Sequence, residues 1–172
     1  MEEETMTQQA SITDRLNKVI NHIAHDGTIN ISDCKYDEIR NFMYLWNLFE
    51  KEFFKSGSKY QLPNALKQNN LSIDQIVIDE TFKHFQDRYQ DTIKLKKLRL
   101  SPENEKQVYD TLTKAYISAD ERRQTIITII YRYRCNLFHG SKEIASLWNQ
   151  EDNFIHANQF MLACLEAKLN IN

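Results

Sequence analysis

The chain has 172 residues, a formal net charge of -2, 41% hydrophobic residues, 3 Gly and 2 Pro. That apolar content, with 8 Tyr and 9 Phe, suffices for a packed core and excludes wholesale disorder, while so few turn formers exclude a sandwich or barrel of many short strands. A single all-α domain over residues 11–172 is expected, a bundle of about five to seven helices, with the acidic and Gln-rich residues 1–10 loosely ordered.

Ser11 precedes an apolar stripe of Ile12, Leu16, Val19, Ile20 and Ile23, and Asp26-Gly27 closes it, so a first helix is predicted over Ile12 to Ala24. From Asp33 to Lys55, Ile39, Phe42, Met43, Trp46, Phe49, Glu50 and Phe53 recur three and four apart up to Ser56-Gly57, which predicts a long helix with an aromatic face. Lys59 to Asn70, with Pro63, reads as a connector holding one short helix. Ser72 to Gln90 repeats the amphipathic pattern through Ile73, Ile76, Val77, Phe82, Phe85 and Tyr89. The segment IKLKKLRL that follows is the densest positive run, and its alternation fits a short strand, a helix end or an irregular basic strip.

Ser101-Pro102-Glu103 is a helix start: a capping hydroxyl, Pro at the first helical position and acid in the first turn. That helix is predicted over Pro102 to Ile117. Asp120 is the expected cap of the next, which runs through Ile126, Ile127, Ile129 and Ile130 to Phe138 before His139-Gly140. Its continuous apolar middle marks it as central and buried. A last helix is predicted from Asn153 to Leu169.

Cys34, Cys135 and Cys164 are far apart with no CxxC pair, which speaks against a disulfide framework and against a cysteine zinc site. With an acidic N-terminus and no apolar run long enough for a bilayer, a cytoplasmic protein without a membrane partner is expected. Near-neutral charge gives no global attraction to nucleic acid, so polyanion binding has to rest on a local cluster of Arg and Lys. His22 and His25, three apart, and the separate His84 and His156 lack a third ligand at useful spacing, so no metal site is expected. No Gly-rich phosphate loop is present, and no cofactor is expected.

Chemistry concentrates at Tyr131-Arg-Tyr-Arg-Cys-Asn-Leu-Phe-His-Gly140. Burying Arg132 or Arg134 without a partner costs several kcal/mol, so at least one must meet an acid, an anion or solvent at an interface. At about 100° per residue, Arg132 lies within about 20° of His139 around the helix, whereas Arg134 lies about 140° away. Both arginines share an anion with His139 only if the helix end is irregular or a second chain contributes. Arg plus His suffices for RNA cleavage without a metal: imidazole moves protons to or from ribose and leaving oxygen, and guanidinium binds the phosphate. The plainer reading makes His139 a helix C-cap, with the arginines paired to Glu143 or Glu151.

The stretch RCNLFHG at 134–140, after IITIIYRY and before a closing helix, resembles the signature of the HEPN superfamily: Arg, four to six residues, then His near the end of a late helix in an all-α bundle. Arg134 to His139 fits the four-residue form and Arg132 to His139 the six-residue form. The Leu-Phe-His-Gly wording most resembles the ApeA-like branch. FMYLWNLFE at 42–50 is similar to that family's early helix, whose acid approaches the motif.

The resemblance implies a metal-independent endoribonuclease, a toxin or antiviral defence effector. Such a protein acts on tRNA or mRNA as a homodimer with a composite cleft, and has an antitoxin or companion subunit as a further partner. It makes Arg134 the phosphate-binding group and His139 the acid or base. Asn136 contributes a polar contact. Beyond the motif, Arg132, Lys94, Lys96, Lys97 and Arg99 are the cations expected to draw in RNA, and Glu50 is expected to be a core and pairing residue, with orientation of Arg134 as the alternative. Two departures stand out: Cys135 where many active members carry a polar residue directly after the Arg, and Ser141 where some carry Tyr. The first motivates the alternative of a catalytically silent dimerisation or RNA/nucleotide-binding module.

Overall fold

The computed structural model describes residues 37–54, 66, 71–138 and 150–170. They form six helices and no strand: α1 (Asp37–Phe53), α2 (Gln75–Tyr89), α3 (Thr92–Lys96), α4 (Pro102–Thr113), α5 (Ala119–Phe138) and α6 (Glu151–Leu169). The expected all-α bundle is therefore what the chain builds, with the Arg-containing segment ending a late, central helix. The predicted first helix, His22, His25, Cys34 and residues 139–149, with His139, Ser141 and Glu143, lie outside the described residues, as does the 59–70 connector apart from the buried Leu66.

Spacing explains the core. On α1, Phe42, Trp46, Phe49 and Phe53 recur at four and three and are buried, while Met43, which the pattern also placed on that face, is 46% exposed. This stripe packs on α6, where Phe42 meets Phe154 edge-on at 5.1 Å. Helix α2 is the hub and touches α3, α4, α5 and α6. Its Phe85 is fully buried and meets the Tyr133 ring of α5 at 5.8 Å. Ile126, Ile127, Ile129 and Ile130 leave no exposed surface, as expected of a central helix.

Several helix boundaries differ from expectation for identifiable reasons. Helix α2 begins at Gln75, because the Asp74 carboxylate accepts from the Ile76 N–H at 2.9 Å and takes the capping role. Helix α4 starts as expected, with Ser101 Oγ accepting from Asn104 N, yet ends at Thr113. Lys114 turns extended there so that the chain can reverse into α5. Helix α5 starts at Ala119, and its first turn is closed by Ser118. The Ser118 hydroxyl accepts from Glu121 N at 3.2 Å, and the Glu121 carboxylate accepts from Ser118 N at 2.9 Å. This reciprocal box replaces the expected Asp120 cap. Lys114 adds an ion pair at 2.6 Å to Glu121, and that contact first, with the Ser118 bonds, lowers the Glu121 carboxyl to about 2. Helix α6 opens at Glu151, two residues before expectation, and closes on Asn170 in the left-handed conformation. No helix of the described residues is long and apolar enough to cross a membrane.

Candidate functional site

The ambiguous basic segment resolves into α3 and a tight turn. Asp91 caps α3 through bonds to Ile93 N at 2.8 Å and Lys94 N at 3.4 Å. Leu95 and Leu98, three apart, are buried anchors. Lys94, Lys96, Lys97 and Arg99 are exposed between and beyond them. The backbone at Arg99 has φ of 54°, a left-handed conformation uncommon for a residue with a Cβ.

This turn sits directly on the motif helix. Arg132, half-buried, donates from Nε to the Leu98 carbonyl at 2.9 Å. Asn136, buried, donates from Nδ2 to the same carbonyl at 3.4 Å and to the Lys97 carbonyl at 3.5 Å. Residues 132 and 136 are one helical turn apart, so both reach the same strip of neighbouring backbone. The two side chains expected to support RNA binding thus engage protein backbone.

The opposite border of the helix carries Arg134. Helix α5 stays regular through Phe138, so Arg134 lies about 160° around the axis from Arg132 and about 60° from Tyr131. The Tyr131 ring is 6.0 Å from that of Trp46 on α1, and Glu50, half-buried, is one turn further along α1. Desolvation first, and then the Cys135 thiol, raise the Tyr131 hydroxyl above its ordinary value. Cys135 is buried, so the position after Arg134 offers no exposed polar group. Between the two borders Tyr133 points into the core, its hydroxyl 2.7 Å from that of Tyr89, and burial raises the pKa of both phenols.

The described residues therefore bring Arg132, Asn136 and the basic turn together on one side of α5. They set Arg134 on the other side, about 60° around the helix from Tyr131, whose ring meets that of Trp46. Two clefts lie away from both. One, of about 490 Å³, is between α4 and the first half of α5, lined by Lys106, Gln107, Asp110, Gln124 and Thr128. The other, of about 440 Å³, is between α1 and α6, lined by Tyr44, Leu45, Ile155 and Leu162.

Two histidines judged separate in sequence meet in space. The rings of His84 on α2 and His156 on α6 stack at 4.2 Å, and His84 Nε2 is 2.8 Å from Oδ1 of the buried Asn153. Desolvation, then the His84 neighbour, lower the His156 pKa. They are 72 positions apart, so no local pattern could have paired them. By contrast, the Ser-x-x-Glu spacing at 118–121 was a readable capping signal. No family model, no curated protein and no solved structure matches the chain.

Proposed function

We propose that the chain is a metal-independent endoribonuclease of the HEPN type, acting as a homodimer in a toxin or antiviral defence setting. The observation that carries this reading is the half-buried Arg134 on the last turns of a helix whose middle is fully buried, with His139 five residues on in sequence. A guanidinium held this way at the rim of a core is suited to a phosphate, since its fork of donors matches phosphate oxygens. The exposed cations of 94–99, fastened to the same helix, supply attraction for a polyanion that the net charge of -2 does not.

In the reaction, His139 takes the proton of a ribose 2'-hydroxyl. The 2'-oxygen attacks the adjacent phosphorus, and the bond to the 5'-oxygen breaks as that oxygen gains a proton. The products are a 2',3'-cyclic phosphate and a 5'-hydroxyl. Arg134 binds the non-bridging oxygens as charge builds on them. In this reading the cleft is composite, and Arg134 of one protomer serves with His139 of its partner.

The test is incubation of purified wild type, Arg134→Ala and His139→Ala with labelled RNA in EDTA. Cleavage by the wild type with cyclic phosphate ends is expected, reduced roughly 10²- to 10⁴-fold by loss of the proton-transfer group in His139→Ala. Equal cleavage by wild type and His139→Ala would refute the mechanism. A second reading is favoured by one observation, the buried Cys135 after Arg134: a silent dimerisation or RNA-binding module. Its mark is a wild type that binds RNA, never cuts it, and loses its dimer when Arg134 is replaced.

A further inference from the structure

We propose that Arg132 and Asn136 are positioning residues, a clasp from the motif helix that shapes the 94–99 turn into the edge on which an RNA phosphodiester backbone docks. The inference rests on the reading that the end of α5 acts on RNA, and reassigns two side chains from contact with RNA to the support of those that make it.

Four cations within six residues repel one another, yet all four are exposed on this one short segment. Three features impose that arrangement. Leu95 and Leu98 are 2% and 1% exposed and pin the segment to the core, which leaves Lys94, Lys96, Lys97 and Arg99 facing solvent. The turn is tight, with Lys97 N donating to Lys94 O, Leu98 N to Leu95 O and Arg99 N to Lys96 O at 2.9 to 3.1 Å. That pattern leaves the Lys97 and Leu98 carbonyls pointing outward from the turn, and these receive the Arg132 and Asn136 donors. The next residue, Arg99, is held left-handed at φ 54°, a conformation that persists in a residue with a Cβ when its surroundings over-determine it. In sequence, Arg132 and Asn136 share their spacing with the motif histidine, at i, i+4 and i+7.

The clasp separates the donor function of Arg132 from its charge. Gln carries its amide nitrogen the same number of bonds from Cα as Arg carries Nε, so Arg132→Gln keeps a donor at the Leu98 carbonyl and removes the charge. Arg132→Met has the same length and keeps neither. The probe is a fluorescent 2'-O-methyl RNA 20-mer, which cannot be cleaved, titrated in EDTA at several salt concentrations. Four phosphate contacts predict a slope of log affinity against log salt near -2.8, or roughly a fifty-fold loss between 50 and 200 mM. Lys97→Gln is expected to lower the slope by about 0.7. Arg132→Gln is expected to bind within about twofold of wild type with the slope unchanged, and Arg132→Met to lose both affinity and slope.

Limited trypsin digestion supplies a readout on the turn itself. Cutting at residues 96–99 should accelerate in Arg132→Met and not in Arg132→Gln, with helical circular dichroism retained in both. Should Arg132→Met be unfolded, Asn136→Ala takes its place, with weaker binding and faster cutting expected. An Arg132→Gln variant that loses about 0.7 of slope would overturn the proposal by making Arg132 a phosphate contact. So would an Arg132→Met variant that binds like wild type, or a wild type with no affinity for the probe. Clasp-dependent binding without cleavage of natural RNA would refute the ribonuclease and leave the clasp standing, whereas cleavage with clasp-independent binding would do the reverse.

Discussion

Replacing Ser118 by Ala removes the hydroxyl that accepts from Glu121 N at 3.2 Å and donates to the Glu121 carboxylate at 2.9 Å. The backbone half of the box, Ser118 N to Glu121 Oε2, survives, as does the ion pair from Lys114. The loss is that of an N-cap side chain, about 1 kcal/mol. For a domain of this size that lowers Tm by roughly 2–4 °C. Asp120 is the informative control. It sits inside the first turn of α5 and pairs with Arg123 at 3.5 Å, its side chain 61% exposed. Such a pair is worth a few tenths of a kcal/mol, so Asp120→Asn should shift Tm by under about 1–2 °C. Thermal unfolding followed at 222 nm, with urea midpoints as a second measure, separates the two. A larger loss in Asp120→Asn than in Ser118→Ala would refute the assignment of the cap and move the start of the motif helix.

Other outcomes follow from the same contacts. Phe85→Ala, at a site with no exposed surface between α2 and the Tyr133 ring, should cost about 3–5 kcal/mol by urea unfolding. His156 has its pKa lowered below 6.5 in the fold, so its contribution to stability is fully present above pH 6.5 and is lost as pH falls through the depressed value. His156→Gln should flatten that part of the Tm–pH curve. Burial raises the Cys164 thiol pKa well above its ordinary value, so it should resist thiol reagents at pH 8 until the chain is unfolded.

Most of the helical framework was legible because burial and cap chemistry agreed. Phe42, Trp46, Phe49 and Phe53 mark a face at helical spacing, and Ser101-Pro102 marks a start that no tertiary contact had to arbitrate. The basic segment was ambiguous because its charges alternate as in a strand while Leu95 and Leu98 are three apart as in a helix. Only their common burial decides between the two periods. Ile117 extended the apolar pattern of α4 beyond its true end, since the chain had to reverse to seat α5. At the candidate site, the opposition of Arg132 and Arg134 could be read from 100° per residue, because α5 has no irregularity before Phe138. The clasp to Leu98 could not, because its acceptors are backbone carbonyls 34 and more positions away, and no side-chain pattern announces them.

The most direct test of a composite ribonuclease site mixes two broken chains. Arg134→Ala and His139→Ala, carrying different tags, are co-expressed, and the heterodimer is isolated and assayed on RNA in EDTA. If each cleft takes Arg134 from one protomer and His139 from the other, the heterodimer holds one intact cleft of two and regains about half the wild-type rate, while both variant homodimers stay inactive. A heterodimer as inactive as its parents, beside a wild type that cleaves, would contradict the composite site. A wild type that cleaves nothing would contradict the ribonuclease itself.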